Sequence, residues 1–185
     1  MTIHSEHPFL DPEPDPVRRF RGRLGGVVTL WTCGSSSSSS SGSGSSSSSS
    51  GSSSSGSGLT VSSLMVANGS PAHVLALLDP DSSFLAGLRA STTSVVQLLG
   101  WGHRDLADAF AGVAPAPGGP FRMAQWRETE WGPVLADATT WAGVRLAEAR
   151  SVGWSELVDC VVEHVEVGDE DAPLVHRRGR YLRPD

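Results

Sequence analysis

The chain has 185 residues, enough for one domain with a real hydrophobic core. Its net charge is −6 and its 14 basic residues form no long run, which excludes a dedicated nucleic-acid binder with a concentrated cationic footprint. Cys33 and Cys160 lie far apart in sequence and no Cys/His cluster has ligand spacing, so a disulfide scaffold and a zinc site are excluded and each cysteine is expected as a buried free thiol.

Met1 to His7 lacks the charged region and apolar core of a secretory signal. No run approaches the roughly 18 apolar residues needed to cross a bilayer, so the expected location is the cytoplasm and no membrane partner is expected. Residues 1–15, rich in Pro and acidic side chains, are expected to form an extended lead-in, with the folded domain spanning 16–185. Pro16 opens a short amphipathic helix. Val17, Phe20 and Leu24 share one side and are expected to close over the domain, with Arg18, Arg19, Arg21 and Arg23 in solvent. Gly25 and Gly26 break it, and Val27 to Cys33 reads as a strand. The next stretch, Ser35 to Gly58, contains only Ser and Gly; residues 35–57 read as a low-complexity loop within the domain, and its serines carry no function.

The segment from Gly58 to Leu64, GLTVSSL, reads as one strand. Alternation puts Thr60 and Ser62 on one face and Leu59, Val61 and Ser63 on the other. An ordinary half-buried strand and a strand whose hydroxyl row meets a polar ligand both fit these residues. After a turn at Asn68 to Pro71, the apolar run Ala72 to Leu78 reads as a strand buried on both faces. Asp81 or Ser82 then caps a helix carrying Phe84, Leu85 and Leu88, whose N-terminus at Ser82 and Ser83 is either simply capped or open to an anion. Ser94 to Gly100 is the next strand. The helix from His103 to Ala111 places Leu106, Ala109 and Phe110 on one side and Arg104, Asp105 and Asp108 on the other, Arg104 being a candidate phosphate or dimer contact. A Pro/Gly loop, Ala114 to Pro120, leads to Phe121, Trp126 and Trp131, which fit either a core or a dimer face. Two long strands, Ala138 to Leu146 and Trp154 to Val167, follow, and segments 173–176 and 179–182 finish the barrel. His164 reads as a satisfied strand residue. Many short strands with few helices indicate an all-β fold, an antiparallel β-barrel with a few peripheral helices.

The ordered set Gly26-Val27-Val28-Thr29-Leu30-Trp31-Thr32, Gly58-Leu59-Thr60-Val61-Ser62-Ser63, the helix with Leu106-Ala107 and Phe110-Ala111, and Pro173-Leu174 with Gly179 and Tyr181 resembles the flavin reductase-like, FMN-binding split-barrel family. The resemblance runs from about residue 16 to 182. It implies a homodimeric oxidoreductase passing a hydride from NAD(P)H to FMN, with FAD the alternative flavin, and a flavin-dependent monooxygenase as a partner receiving reduced flavin. It further implies cofactor contacts at Thr60, Val61, Ser62, Ser63, Ser82, Ser83, Arg104 and Phe110, with Trp131 and Trp154 on the substrate side. No catalytic side chain or metal ligand is implied, because the isoalloxazine performs the redox step. The absence of a dinucleotide fingerprint speaks against a Rossmann dehydrogenase and leaves a split barrel open. One departure bears on activity: where the family carries Gly-Asp-His, this chain has Gly153-Trp154-Ser155. Trp154 is then either a ring-stacking residue or a buried aromatic at the barrel edge. The lost His also keeps a flavin carrier or sensor open, and a deazaflavin or haem cofactor is a further alternative on the same fold.

Overall fold

The computed structural model describes residues 15–34, 56–169 and 172–183. The lead-in before residue 15 and most of the Ser/Gly loop lie outside the described residues. Among the described residues, three α-helices, α1 (Pro16–Leu24), α2 (Ser83–Ser91) and α3 (Arg104–Phe110), accompany twelve strands. These are β1 (Gly26–Val27), β2 (Thr29–Cys33), β3 (Ser57–Val61), β4 (Leu64–Ala67), β5 (His73–Leu78), β6 (Thr93–Leu98), β7 (Trp126–Thr129), β8 (Gly132–Leu135), β9 (Trp141–Val152), β10 (Ser155–Glu166), β11 (Val175–Arg177) and β12 (Arg180–Leu182).

Seven strands form one sheet in the order β3-β2-β6-β9-β10-β5-β4, with every pair antiparallel. Its two edge strands, β3 and β4, are consecutive in the chain and joined only by Ser62 and Ser63. A flat sheet of this size would hold its edges about 29 Å apart at ~4.8 Å per strand spacing. Three Cα steps reach at most about 11 Å. The sheet therefore has to roll until its edges meet, and the Ser62-Ser63 link is the point of closure. Ser63 anchors that link to β5, continuing the β4–β5 register: its carbonyl accepts from the Leu77 N–H at 3.0 Å and its hydroxyl donates to the Leu77 carbonyl at 2.8 Å.

Rolling gives the sheet an inside and an outside. The inner face packs Trp31, Val61, Val74, Ala76, Leu78, Val144 and Val158 against Phe84, Leu85 and Leu88 of α2, all three fully buried. Ser82 is the N-cap of α2, its hydroxyl accepting from the Leu85 N–H at 3.2 Å. Outside, Val28, Leu30, Leu99 and Leu135 pack with Leu106, Ala107 and Phe110 of α3. Between two cores, β2 is buried along its whole length. Polar side chains there are satisfied: the Thr32 hydroxyl donates to the Pro133 carbonyl at 2.6 Å and the Gln97 side-chain carbonyl accepts from the Leu135 N–H at 2.8 Å. These bonds hold the β7–β8 hairpin against the sheet.

Several expectations need correction. The segment 58–64 is not one strand, because closure bends it at Ser62 and Ser63 into β3 and β4. In β5 burial alternates, with Val74, Ala76 and Leu78 inside and Leu77 42% exposed, since the strand lies beside the edge strand β4 with one face outside the barrel. The last two strands do not finish the barrel. They form a separate three-stranded sheet with β1, in the order β1-β11-β12. Nor does α1 close over the domain through its apolar side: none of its residues is buried, and Val17, Phe20 and Leu24 are each more than 60% exposed. Polar contacts hold it instead. Asp15 caps its first turn, the Arg178 N–H donates to the Gly22 carbonyl at 2.9 Å, and Arg177 Nε donates to the Arg23 carbonyl at 3.2 Å.

Candidate functional site

The seam where the sheet closes is also the floor of a groove about 1600 Å³ in volume. Leu59, Thr60 and Val61 of β3, the Ser62-Ser63 link and Leu77 to Asp79 form the floor. One wall is α1 with Gly25 and Gly26, a second is the β11–β12 hairpin with His176, Arg178 and Gly179, and Trp154 stands at the end of the β9–β10 turn. Gly26 is required there: a Cβ would sit 2.8 Å from the Ser62 carbonyl oxygen. As an edge strand of the sheet, β3 has a strand partner on one side only, and its Leu59, Thr60 and Val61 line the groove, the Val61 carbonyl being taken by the Thr29 hydroxyl at 2.7 Å. Such an open strand suits the polar edge of a flat heterocycle. A single small ligand fills about 300–1,000 Å³, so this groove has room for a second reactant against the first.

The structure brings together Thr60, Val61, Ser62, Ser63 and Trp154 of the predicted set. Their side chains differ in availability. Thr60 Oγ1 donates to the Ala107 carbonyl at 2.7 Å, fixing β3 to α3, and Val61 is buried in the inner core. The Ser63 hydroxyl is held by Leu77. Ser62 is exposed, so here the contribution to a ligand comes from backbone and from the Ser62 hydroxyl. Trp154 is 83% exposed, which overturns the buried-aromatic alternative and leaves a free indole at the groove.

The other predicted residues lie elsewhere. Ser82 and Ser83 start α2 just beyond Asp79, outside the groove lining, with the Ser82 hydroxyl engaged in capping. Phe110 is a core residue rather than a cofactor contact: it is 6% exposed, meets Phe121 and Trp126 edge-on, and fills the space that a Cβ on Gly58 would occupy, 2.5 Å away. The Arg104 guanidinium lies over the Trp101 ring, 3.9 Å from its centroid, away from the groove. Trp131 is also remote. It stacks on His164 at 5.0 Å and donates from Nε1 to Glu163 at 2.8 Å. The Arg145 guanidinium bonded to Glu163, with that indole N–H, holds the Glu163 carboxyl below its ordinary range. His164, expected to be satisfied, has a buried Nε2 without a hydrogen bond; the nearest carboxylate oxygen, on Glu166, is 3.6 Å away. Both cysteines are buried free thiols, with burial raising the pKa of Cys33 and pushing that of Cys160 up to about 12.

Sequence reasoning missed the second half of the groove. Arg18, Arg19, Arg21 and Arg23 are exposed, as expected, and line it together with Arg178 and His176. The available signal was two arginine-rich segments at opposite ends of the chain, RRFRGR and RRGR. Their meeting depends on the β1–β11 pairing, which neither segment encodes by itself.

The pattern of the flavin reductase-like domain matches residues 21–184. The chain belongs to the flavin reductase-like family. Among curated relatives, an FMN reductase (NADH), RutF 1, of Methylorubrum extorquens (strain PA1) is 31% identical over 123 residues, covering 66% of this chain and 60% of that one. An NADH:FMN oxidoreductase of Rhodococcus qingshengii is 30% identical over 133 residues, covering 68% of this chain and 67% of that one. The chain thus spans about three fifths of the length of the first curated relatives it matches. Among solved structures, the flavin reductase PheA2 superposes with a TM-score of 0.73 at 20% identity, covering 94% of this chain and 99% of that one. The Streptomyces globisporus NADH:FAD oxidoreductase SgcE6, solved with NAD and FAD fragments, gives 0.74 at 19% identity, covering 100% and 97%. These superpositions establish the family's all-β fold with peripheral helices. No helix among the described residues is long and apolar enough to cross a membrane.

Proposed function

We propose that the protein is a cytoplasmic FMN-dependent oxidoreductase that takes a hydride from NAD(P)H and supplies reduced flavin to a small acceptor or to a partner monooxygenase. The observation that carries this reading is the coincidence of the barrel's closing seam, its unpartnered edge-strand backbone and the two-reactant groove. Membership of the family and relatives named FMN reductase (NADH) support it. Bound flavin would supply the redox chemistry, accepting the hydride. The chain's own residues bind and orient. Backbone groups of Thr60 to Ser63 hold the flavin edge and ribityl chain, the Ser62 hydroxyl adds a side-chain contact, and Ser82 and Ser83 at the start of α2 serve the phosphate end. FMN is the flavin proposed, with FAD second. Exposed Val17, Phe20, Met65 and Val66 suit a homodimer face.

The Gly153-Trp154-Ser155 turn lacks the His that the family carries there, and this favours a carrier or sensor as the second reading, although His176 lines the groove from the opposite hairpin. One cuvette separates them. FMN is titrated anaerobically, followed by NADH and then NADPH, while flavin absorbance is recorded. Tight binding with rapid bleaching is expected; binding without bleaching would select the carrier, and no binding would reject both. Bulky replacements of Ser62 and Ser63 should abolish flavin retention while leaving the barrel folded. Unchanged affinity would reject that assignment.

A further inference from the structure

The chain contains no lysine, and eight of its 14 arginines fall in the segments 18–23 and 177–183 of an otherwise acidic protein. The structure joins these segments through the Arg178 N–H to Gly22 carbonyl bond and the Arg177 Nε to Arg23 carbonyl bond. Among the other described arginines, Arg89 pairs with Glu156 at 2.6 Å, Arg127 with Glu166 at 3.2 Å and Arg145 with Glu163 at 2.6 Å, while exposed Arg122 and Arg150 have no carboxylate within ion-pair distance. Among the described residues no carboxylate lies within ion-pair distance of Arg19, Arg21, Arg23 or Arg178. The two carboxylates that line the groove serve backbone N–H groups instead, Asp15 those of Val17 and Arg18, and Asp79 that of Asp81. Clustered guanidinium groups without counter-charges repel one another, and an anion presenting several oxygens relieves this through paired N–H contacts.

We propose that Arg19, Arg21 and Arg23 of α1, with Arg178 of the β11–β12 turn, form a polyphosphate subsite in the groove that selects NADPH over NADH. The proposal rests on the flavin reductase reading for the identity of the second reactant. The pyrophosphate common to both nucleotides carries two negative charges and needs only part of this array. A 2′-phosphate monoester adds about −1.5 to −2 at neutral pH and gives the remaining guanidinium groups a partner. The flavin's own phosphate is assigned to the start of α2 on the far side of Asp79, so the α1 arginines remain for the donor. Room for a second reactant is present, as the groove volume of about 1600 Å³ shows.

The test is calorimetric titration of the full chain with NADPH, NADH, adenosine 2′,5′-bisphosphate and AMP, which needs no turnover. Wild-type protein is expected to bind NADPH at least about tenfold more tightly than NADH, with the bisphosphate preferred over AMP, and raised salt should erode the difference. Arg21→Glu with Arg178→Glu should bring the NADPH-to-NADH ratio close to one, while Arg21→Lys with Arg178→Lys keeps much of the preference. Arg150→Glu, on β9 outside the groove, should leave the ratio unchanged. If the charge-reversed protein fails to fold, Arg21→Gln alone, which should lower the ratio, takes its place. A wild-type ratio near one, or a ratio indifferent to these changes, overturns the proposal; the latter outcome would also be expected if the arginines served an acidic protein instead. The two readings fail separately. NADH-driven bleaching of FMN with no phosphate preference keeps the reductase and rejects the subsite, whereas arginine-dependent NADPH binding without flavin binding does the reverse.

Discussion

Replacing Thr60 with Val tests whether the most ligand-like side chain on the groove floor serves the ligand or the fold. The Thr60 hydroxyl donates to the Ala107 carbonyl at 2.7 Å and so fastens β3 to α3. Val keeps the shape and deletes this bond. The cost depends on what becomes of the buried acceptor. Ala107 is fully buried, but its carbonyl also accepts the Ala111 N–H at 2.9 Å as part of the C-terminal turn of α3. The acceptor is therefore not orphaned, and the expected loss is the net value of one hydrogen bond, about 1 kcal/mol, rather than the roughly 1–3 kcal/mol of an unsatisfied buried group. With a urea m-value of about 2 kcal/mol/M, the midpoint falls by about 0.5 M. Flavin affinity, read by quenching of flavin fluorescence, should stay within about twofold because Thr60 is assigned a backbone role. A large loss of flavin affinity with an unchanged urea midpoint would refute this, showing that the hydroxyl faces the ligand rather than α3.

Gly58→Val should destabilise far more, by about 2 kcal/mol or beyond, because its Cβ would meet the Phe110 ring at 2.5 Å and the Trp31 carbonyl at 3.2 Å; thermal unfolding measures this, and a wild-type midpoint would show that α3 yields freely. The Glu163 carboxyl is held below its unfolded value by Arg145 and Trp131, so its contribution to stability is full above about pH 4.3 and fades as pH falls through the lower folded pKa. Glu163→Gln should accordingly be less stable than wild type near neutrality and equal to it in strong acid, measured by denaturant midpoints against pH. Both thiols are buried and their pKa values raised, so iodoacetamide should leave native protein unmodified at pH 8 and label Cys33 and Cys160 after denaturation, by intact mass.

The strands were legible wherever local pattern decides them. The β-branched, aromatic strand Thr29 to Cys33, the capping serine of α2 and the long strand Ser155–Glu166 emerge at nearly the expected places, because propensity and burial agree there, whereas β9 starts three residues later and runs six residues farther than expected. Sequence pattern failed where a distant partner sets the outcome. Nothing local announces a bend at Ser62 and Ser63; it follows from the placement of β3 and β4 at opposite edges of one sheet. Phe110 has a helical apolar spacing that fits a core and a cofactor contact equally, and only its fit against Gly58 separates them. The same holds for α1. Its apolar spacing predicts a packed face, yet the tertiary structure holds the helix by backbone contacts at Gly22 and Arg23 and leaves that face exposed.

Closure of the sheet and placement of the groove are one event. A rolled antiparallel sheet whose edges meet over a two-residue link gives its interior strands partners on both sides, while β3 keeps an outer row of backbone groups that neither β2 nor β4 pairs with. Such groups need water or a ligand with a matching polar edge. The passage from α1 into β1 runs beside this row, and Gly26 allows it to approach to within 2.8 Å of the Ser62 carbonyl at the position a side chain would take. The same passage carries the arginines of α1 over the floor. A larger residue at Gly26 would thus disturb two features together, the seam that presents backbone to the flavin and the angle at which α1 presents its guanidinium groups. Loss of flavin affinity and loss of the NADPH preference should therefore appear jointly in Gly26→Val, whereas Arg21→Glu with Arg178→Glu should remove the preference and spare the flavin.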